Sequence, residues 1–108
     1  MSDAPLLDLE HLAQYTAGEP VLEAELFALF STQVENCVGQ MEAAASGDSW
    51  MAAAHTLKGA SRGVGAMDLA DACAHAEQHP LDPDTLADVR ASAHRTLREI
   101  RTVMESRL

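Results

Sequence analysis

Between Leu22 and Met104, apolar residues recur at separations of three and four, and each such run is cut off by glycine or proline. A period near 3.6 is that of the α-helix, so the pattern calls for amphipathic helices joined by short turns. Composition points the same way. Hydrophobic residues make up 47% of the chain but aromatic ones only 4%, and alanine is abundant. This favours closely packed helices over a sheet built from β-branched and aromatic side chains.

The breaks place the helices. Leu7 to Tyr15 is expected to form a short helix with Asp8 near its start, closed at Thr16-Ala17-Gly18 by a glycine in a left-handed cap. A long second helix starts at Glu19-Pro20, proline being tolerated in a first turn. It carries Leu22, Leu26, Leu29, Phe30, Cys37 and Met41 on its apolar stripe as far as Ala44. Ser46-Gly47-Asp48 ends it and opens the third, with Asp48 as the expected cap. Gly63 and Gly65 give a tight exit into a fourth helix, Ala66 to about His79, which buries Leu69, Cys73 and Ala76 and stops at Pro80. Asp82-Pro83 opens the last, with Leu86, Val89, Ala93, Leu97, Ile100 and Met104 facing inward. Short connections between long helices favour antiparallel neighbours. The expected fold is therefore all-α: an antiparallel four-helix up-down bundle with a short extra N-terminal helix across one end. A chain of 108 residues has room for one core, so residues 1–108 are read as a single domain with residues 1–6 a flexible N-terminus.

Charge narrows the partners. The formal net charge is −10, and residues 1–57 contain no lysine or arginine, which argues against binding nucleic acid or an anionic membrane. The arginines from Arg90 to Arg107 are read as a solvated face able to pair with the acidic helices. Cys37 and Cys73 lack a Cys-x-x-Cys partner and fall on apolar stripes, which fits reduced core thiols. With no basic leader and no long apolar run, a soluble cytoplasmic protein is expected.

The third helix carries the chemistry. At about 100° per residue, Lys58, Gly59 and Arg62 fall within about 60° of His55, while Trp50, Ala53, Leu57, Ala60, Ser61 and Val64 gather on the opposite side. His55 therefore points away from the core. A neutral imidazole keeps a lone pair near physiological pH and can act as a nucleophile. Lys58, the chain's only lysine, sits one turn on. Glycine inside a helix costs about 1 kcal/mol relative to alanine, so Gly59 beside the histidine is better explained by access than by stability. Ser61 is placed on the buried side, its hydroxyl bonded to a backbone carbonyl or a neighbouring helix. Met51 lies on the histidine side, and Phe27, Val34 and Val38 widen the stripe of the second helix; these four either form a docking patch or extend the core contact.

The run His55-Thr56-Leu57-Lys58-Gly59-Ala60-Ser61, followed by Val64-Gly65-Ala66 and Leu69, closely resembles the signature of histidine-containing phosphotransfer (HPt) domains. Asp48, Trp50, Cys73, Glu77, Phe30 and the Gly18-Glu19-Pro20 break extend the resemblance over roughly residues 8–78. Ala76, smaller than the family's usual apolar residue, and the pair Arg62-Gly63 depart from it. The resemblance implies a phosphorelay carrier with His55 as phosphoryl acceptor and donor and with Lys58 and Gly59 as its companions. It also implies that response-regulator receiver domains and a hybrid histidine kinase act in trans, and that the receiver brings its own Mg²⁺. Glu77 then stands where a polar residue can orient the imidazole through its second nitrogen, or is a solvated glutamate. No Gly-rich phosphate loop is present, so no ATP-dependent kinase activity and no intrinsic cofactor are expected, and the chain is read as a monomer. Two alternatives come from other classes. One is a metal-binding bundle built on Asp71, His75 and His79 at i, i+4 spacing; the other is a helical interaction module that no longer transfers phosphate.

Overall fold

The computed structural model describes residues 7–106, the side chain of Tyr15 excepted; the expectation for residues 1–6 lies outside that range. Five helices follow one another: α1 (Leu9–Thr16), α2 (Pro20–Ala43), α3 (Gly47–Gly63), α4 (Met67–Gln78) and α5 (Pro83–Ser106). Among the described residues there is no strand. Each of α2 to α4 packs on its successor, α5 returns to α2, and α1 rests on α2. That closed ring of sequential neighbours is the four-helix bundle with an added N-terminal helix.

Local chemistry accounts for the helix ends, with two departures from expectation. Asp8 caps α1 by accepting from the His11 N–H at 3.0 Å. The left-handed step after α1 begins one residue early, at Ala17 (φ 53°), before Gly18 (φ 75°). Thr16 supports that turn, its Oγ1 accepting from the Gly18 N–H at 3.3 Å. The cap of α3 is Ser46, not Asp48: Ser46 Oγ accepts from the Ser49 N–H at 3.2 Å. Asp48 instead lies in the first turn, where its charge favours the positive end of the helix dipole. At the other end, the Ala66 N–H reaches Ser61 O at 2.8 Å and the Gly65 N–H reaches Arg62 O at 3.2 Å. This double closure around a left-handed Gly65 (φ 78°) is a Schellman turn. Asp82 opens α5 by accepting from the Asp84 N–H at 2.9 Å.

The core runs the length of the bundle. It joins Phe27, Phe30, Val34, Cys37 and Met41 of α2 to Trp50, Ala53, Ala54 and Leu57 of α3, Leu69, Cys73 and Ala76 of α4, and Val89, Ala93, Ile100 and Val103 of α5. The expected face of α2 is rotated. Leu22 and Leu29 are exposed, Leu29 to 71%, whereas Glu23, Phe27 and Val34 are buried. Leu22 and Leu29 lie roughly 110–135° around the helix from the line through Phe27, Phe30 and Val34, which turns them out of the core. Phe27 and Val34 are thus core residues and do not form a docking patch. Val38 is partly buried against the same cluster, and Met51 is exposed.

Candidate functional site

The site is built on the middle of α3, where burial of Trp50, Ala53, Ala54 and Leu57 fixes the rotation of the helix. A second anchor ties α3 to α4: the Trp50 indole N–H donates to the Ala76 carbonyl at 2.9 Å in a buried setting. With that face held, His55 stands outward and its side chain is 73% exposed. Gly59 is also exposed, and a Cβ added there would meet nothing within 4 Å. The ring and the open ground beside it are therefore accessible to a docking protein. Arg62 is exposed on the same side.

Lys58 differs from the exposed cation that the helix geometry alone suggests. Its side chain is only 17% exposed, and its Nζ lies 2.7 Å from Glu77 Oε1 on α4, a carboxylate equally covered. The same oxygen lies 3.5 Å from His55 Nδ1. Glu77 is therefore neither a solvated residue nor solely a partner of the histidine; its nearest charged neighbour is the lysine. Because Nδ1 faces Glu77, Nε2 is the ring nitrogen left for an incoming group. Ser61 is also corrected: it is fully buried, and its Oγ has no hydrogen-bond partner among the described residues.

Outside the site, the two histidines of the metal alternative, His75 and His79, pack on each other with ring centroids 4.5 Å apart, and His79 Nδ1 lies 3.0 Å from the His75 carbonyl. Among the described residues no group of three or more His, Cys, Asp or Glu side chains is arranged to hold a metal. Two arginines of α5 form ion pairs, Arg90 with Glu42 at 2.6 Å and Arg95 with Asp68 at 3.1 Å. The Ser92 hydroxyl bonded to Asp68, with Arg95 beside it, holds that carboxyl below the usual range against its partial burial. Both cysteines are free and buried. Burial pushes the Cys73 thiol up to about 12, with Cys37 and Glu77 adding to the effect, and raises Cys37 as well.

The sequence profile of the Hpt domain matches residues 25–105, a span that takes in α3, α4, most of α2 and nearly all of α5. The chain belongs to the Hpt-domain family. A similar solved structure is that of the histidine phosphotransferase ShpA from Caulobacter crescentus. It is 28% identical, with a TM-score of 0.78 over 95% of this chain and 94% of that one. No curated protein matches. Membership makes this Hpt domain a phosphotransfer module in kind, and one whose relatives carry phosphoryl groups without being kinases. Among its described residues no helix is long and apolar enough to cross a membrane.

Proposed function

We propose that this Hpt-domain protein is a phosphorelay carrier that holds a phosphoryl group on His55 Nε2 and passes it between aspartates of receiver domains, loaded by a hybrid histidine kinase in trans. The observation that carries this reading is a single exposed imidazole, 73% accessible, on the helix that bears the family signature. The chemistry asks little more of the carrier. Phosphoryl transfer passes through a loose transition state with charge spread over the oxygens, so in-line access and nearby positive charge are the main demands. Gly59 keeps the approach open, and Lys58 supplies the charge. Mg²⁺ on the receiver domain would offset the remaining charge on the phosphoryl oxygens.

In the accepting step the Nε2 lone pair forms the N–P bond. The P–O bond to the aspartate breaks, and its electron pair stays with the released carboxylate. Donation runs the same exchange backward. The test is incubation with a phosphorylated receiver domain, comparing wild type and His55→Gln for acid-labile phosphate. Label on the wild type alone is expected; equal label on both would overturn His55 as the acceptor. Lys58→Ala should retain the label while slowing its arrival, and an unchanged rate would remove Lys58 from the reaction.

A further inference from the structure

The site contains one carboxylate oxygen between two potential cations. Glu77 Oε1 is shut off from solvent, with Lys58 Nζ at 2.7 Å and His55 Nδ1 at 3.5 Å. A charged oxygen deprived of water must keep a positive or hydrogen-bonding partner, because leaving it alone in the protein is costly. Lys58 therefore leaves Glu77 only if something takes its place. Transfer itself supplies the replacement. As Nε2 bonds to phosphorus, the proton on Nδ1 remains, and the ring, neutral before, becomes positively charged. The same event brings phosphoryl oxygens to the far side of the ring, within one helical turn of the lysine.

On this basis, and resting on the carrier reading above, we propose that Glu77 is a positioning residue that exchanges partners. At rest it holds the Lys58 ammonium away from the open face. Once His55 is phosphorylated, Lys58 swings to the phosphoryl oxygens, and Oε1 takes the hydrogen bond from the cationic ring's Nδ1–H. No proton or electron is gained or lost in the exchange; two ion pairs form where one existed. The arrangement leaves the lysine parked on α4 when there is no phosphoryl group to bind, and it keeps Nδ1 occupied so that only Nε2 is offered.

The chain has a single lysine, which makes the exchange directly visible. Selective ¹⁵N-lysine labelling gives one side-chain ammonium signal, recorded before and after treatment with phosphoramidate, a small donor that phosphorylates imidazole. At rest, the wild-type signal should be protected from solvent exchange, and Glu77→Gln should speed that exchange about fivefold. After phosphorylation, the wild-type signal should shift and stay protected, and Glu77→Gln should regain protection. His55→Gln should show no shift with the donor, which separates His55 from the other histidines. The wild-type comparison stands whether or not the Glu77 variant folds. If ³¹P spectra show His55 phosphorylated while the lysine signal stays at its resting position, the exchange is refuted and the carrier reading survives. If His55 takes up no phosphate, the carrier reading falls and the exchange falls with it.

Discussion

Two glycines with the same backbone twist offer a clean test of how α1 is held. Gly65 (φ 78°) and Gly18 (φ 75°) both sit in the left-handed region, where an L-residue costs about 1–2 kcal/mol. Their surroundings differ. A Cβ on Gly18 would meet nothing within 4 Å, whereas one on Gly65 would lie 2.8 Å from Asp8 O, 2.9 Å from Asp8 Cβ and 3.0 Å from Asp8 N. All three contacts belong to the residue that caps α1, and two of them are backbone atoms. The Asp8 N–H also donates to Gly65 O at 2.9 Å, so relief of the clash would stretch a hydrogen bond worth about 1 kcal/mol. Gly65→Ala should therefore cost roughly 2–4 kcal/mol, combining the left-handed penalty with overpacking and the weakened bond. Gly18→Ala should cost about 1 kcal/mol or less, because a stiffer unfolded chain offsets part of the same penalty. At about 4–8 °C per kcal/mol for a domain near this size, the Tm of Gly65→Ala should fall by about 8–32 °C and that of Gly18→Ala by a few degrees. Urea titration and thermal melts followed by circular dichroism give the free-energy and Tm changes of both variants. If Gly65→Ala loses no more stability than Gly18→Ala, the close approach of Asp8 does not hold α1 to the α3–α4 turn, and the argument fails.

Other outcomes follow from the same structure. Gly59→Gln should fold at least as stably as wild type, glutamine being the better helix former. It should nevertheless slow transfer from a receiver domain by about tenfold or more through bulk at the docking face; rapid-quench rates equal to wild type would remove the access argument. Ser92→Ala should let the Asp68 carboxyl titrate closer to the ordinary carboxylate range. The folded-state value of Asp68 is depressed, so the stability it adds is present above the unfolded carboxylate value of about 3.9 and is lost as pH falls through the lower folded one. The stability gap between wild type and variant should close on acidification, as urea melts and carboxyl ¹³C titration would show. Cys73, pushed up to about 12 by burial, should resist a thiol reagent at pH 8 until urea unfolds the chain. Its contribution to stability is complete below the unfolded thiol value of about 8.5 and is lost as pH climbs toward the folded one; labelling of the native protein at the unfolded rate would contradict this.

The sequence was most informative where one interaction dominates. On α3 a compact stripe from Trp50 to Ser61 leaves a single possible rotation, and the outward His55 and the bare ground at Gly59 follow from it. On α2 the apolar surface is wider than the core it serves. Five leucine and phenylalanine positions between Leu22 and Phe30 compete for burial, and the choice of Phe27 over Leu22 and Leu29 is made by neighbours on α3 and α5 that no local period encodes. The cap of α3 was ambiguous for a different reason, since Ser46 and Asp48 are both good caps two residues apart and only the exact helix start decides between them. The Lys58–Glu77 pair is hardest to read. It joins two helices across a seam, so nothing in the spacing of either residue on its own helix announces it, and an apparently exposed lysine proves to be largely covered.

The chain's single tryptophan has a practical consequence. Trp50 sits in the interior with its indole tethered to the carbonyl just before Glu77, so its emission samples the distance between the helix that carries the imidazole and the helix that carries the carboxylate. A small opening of that seam would let water reach the ring and move its emission to longer wavelength, without any attached dye. If the proposed loading and unloading of His55 open that seam, an optical reporter that the protein already contains will follow them in real time.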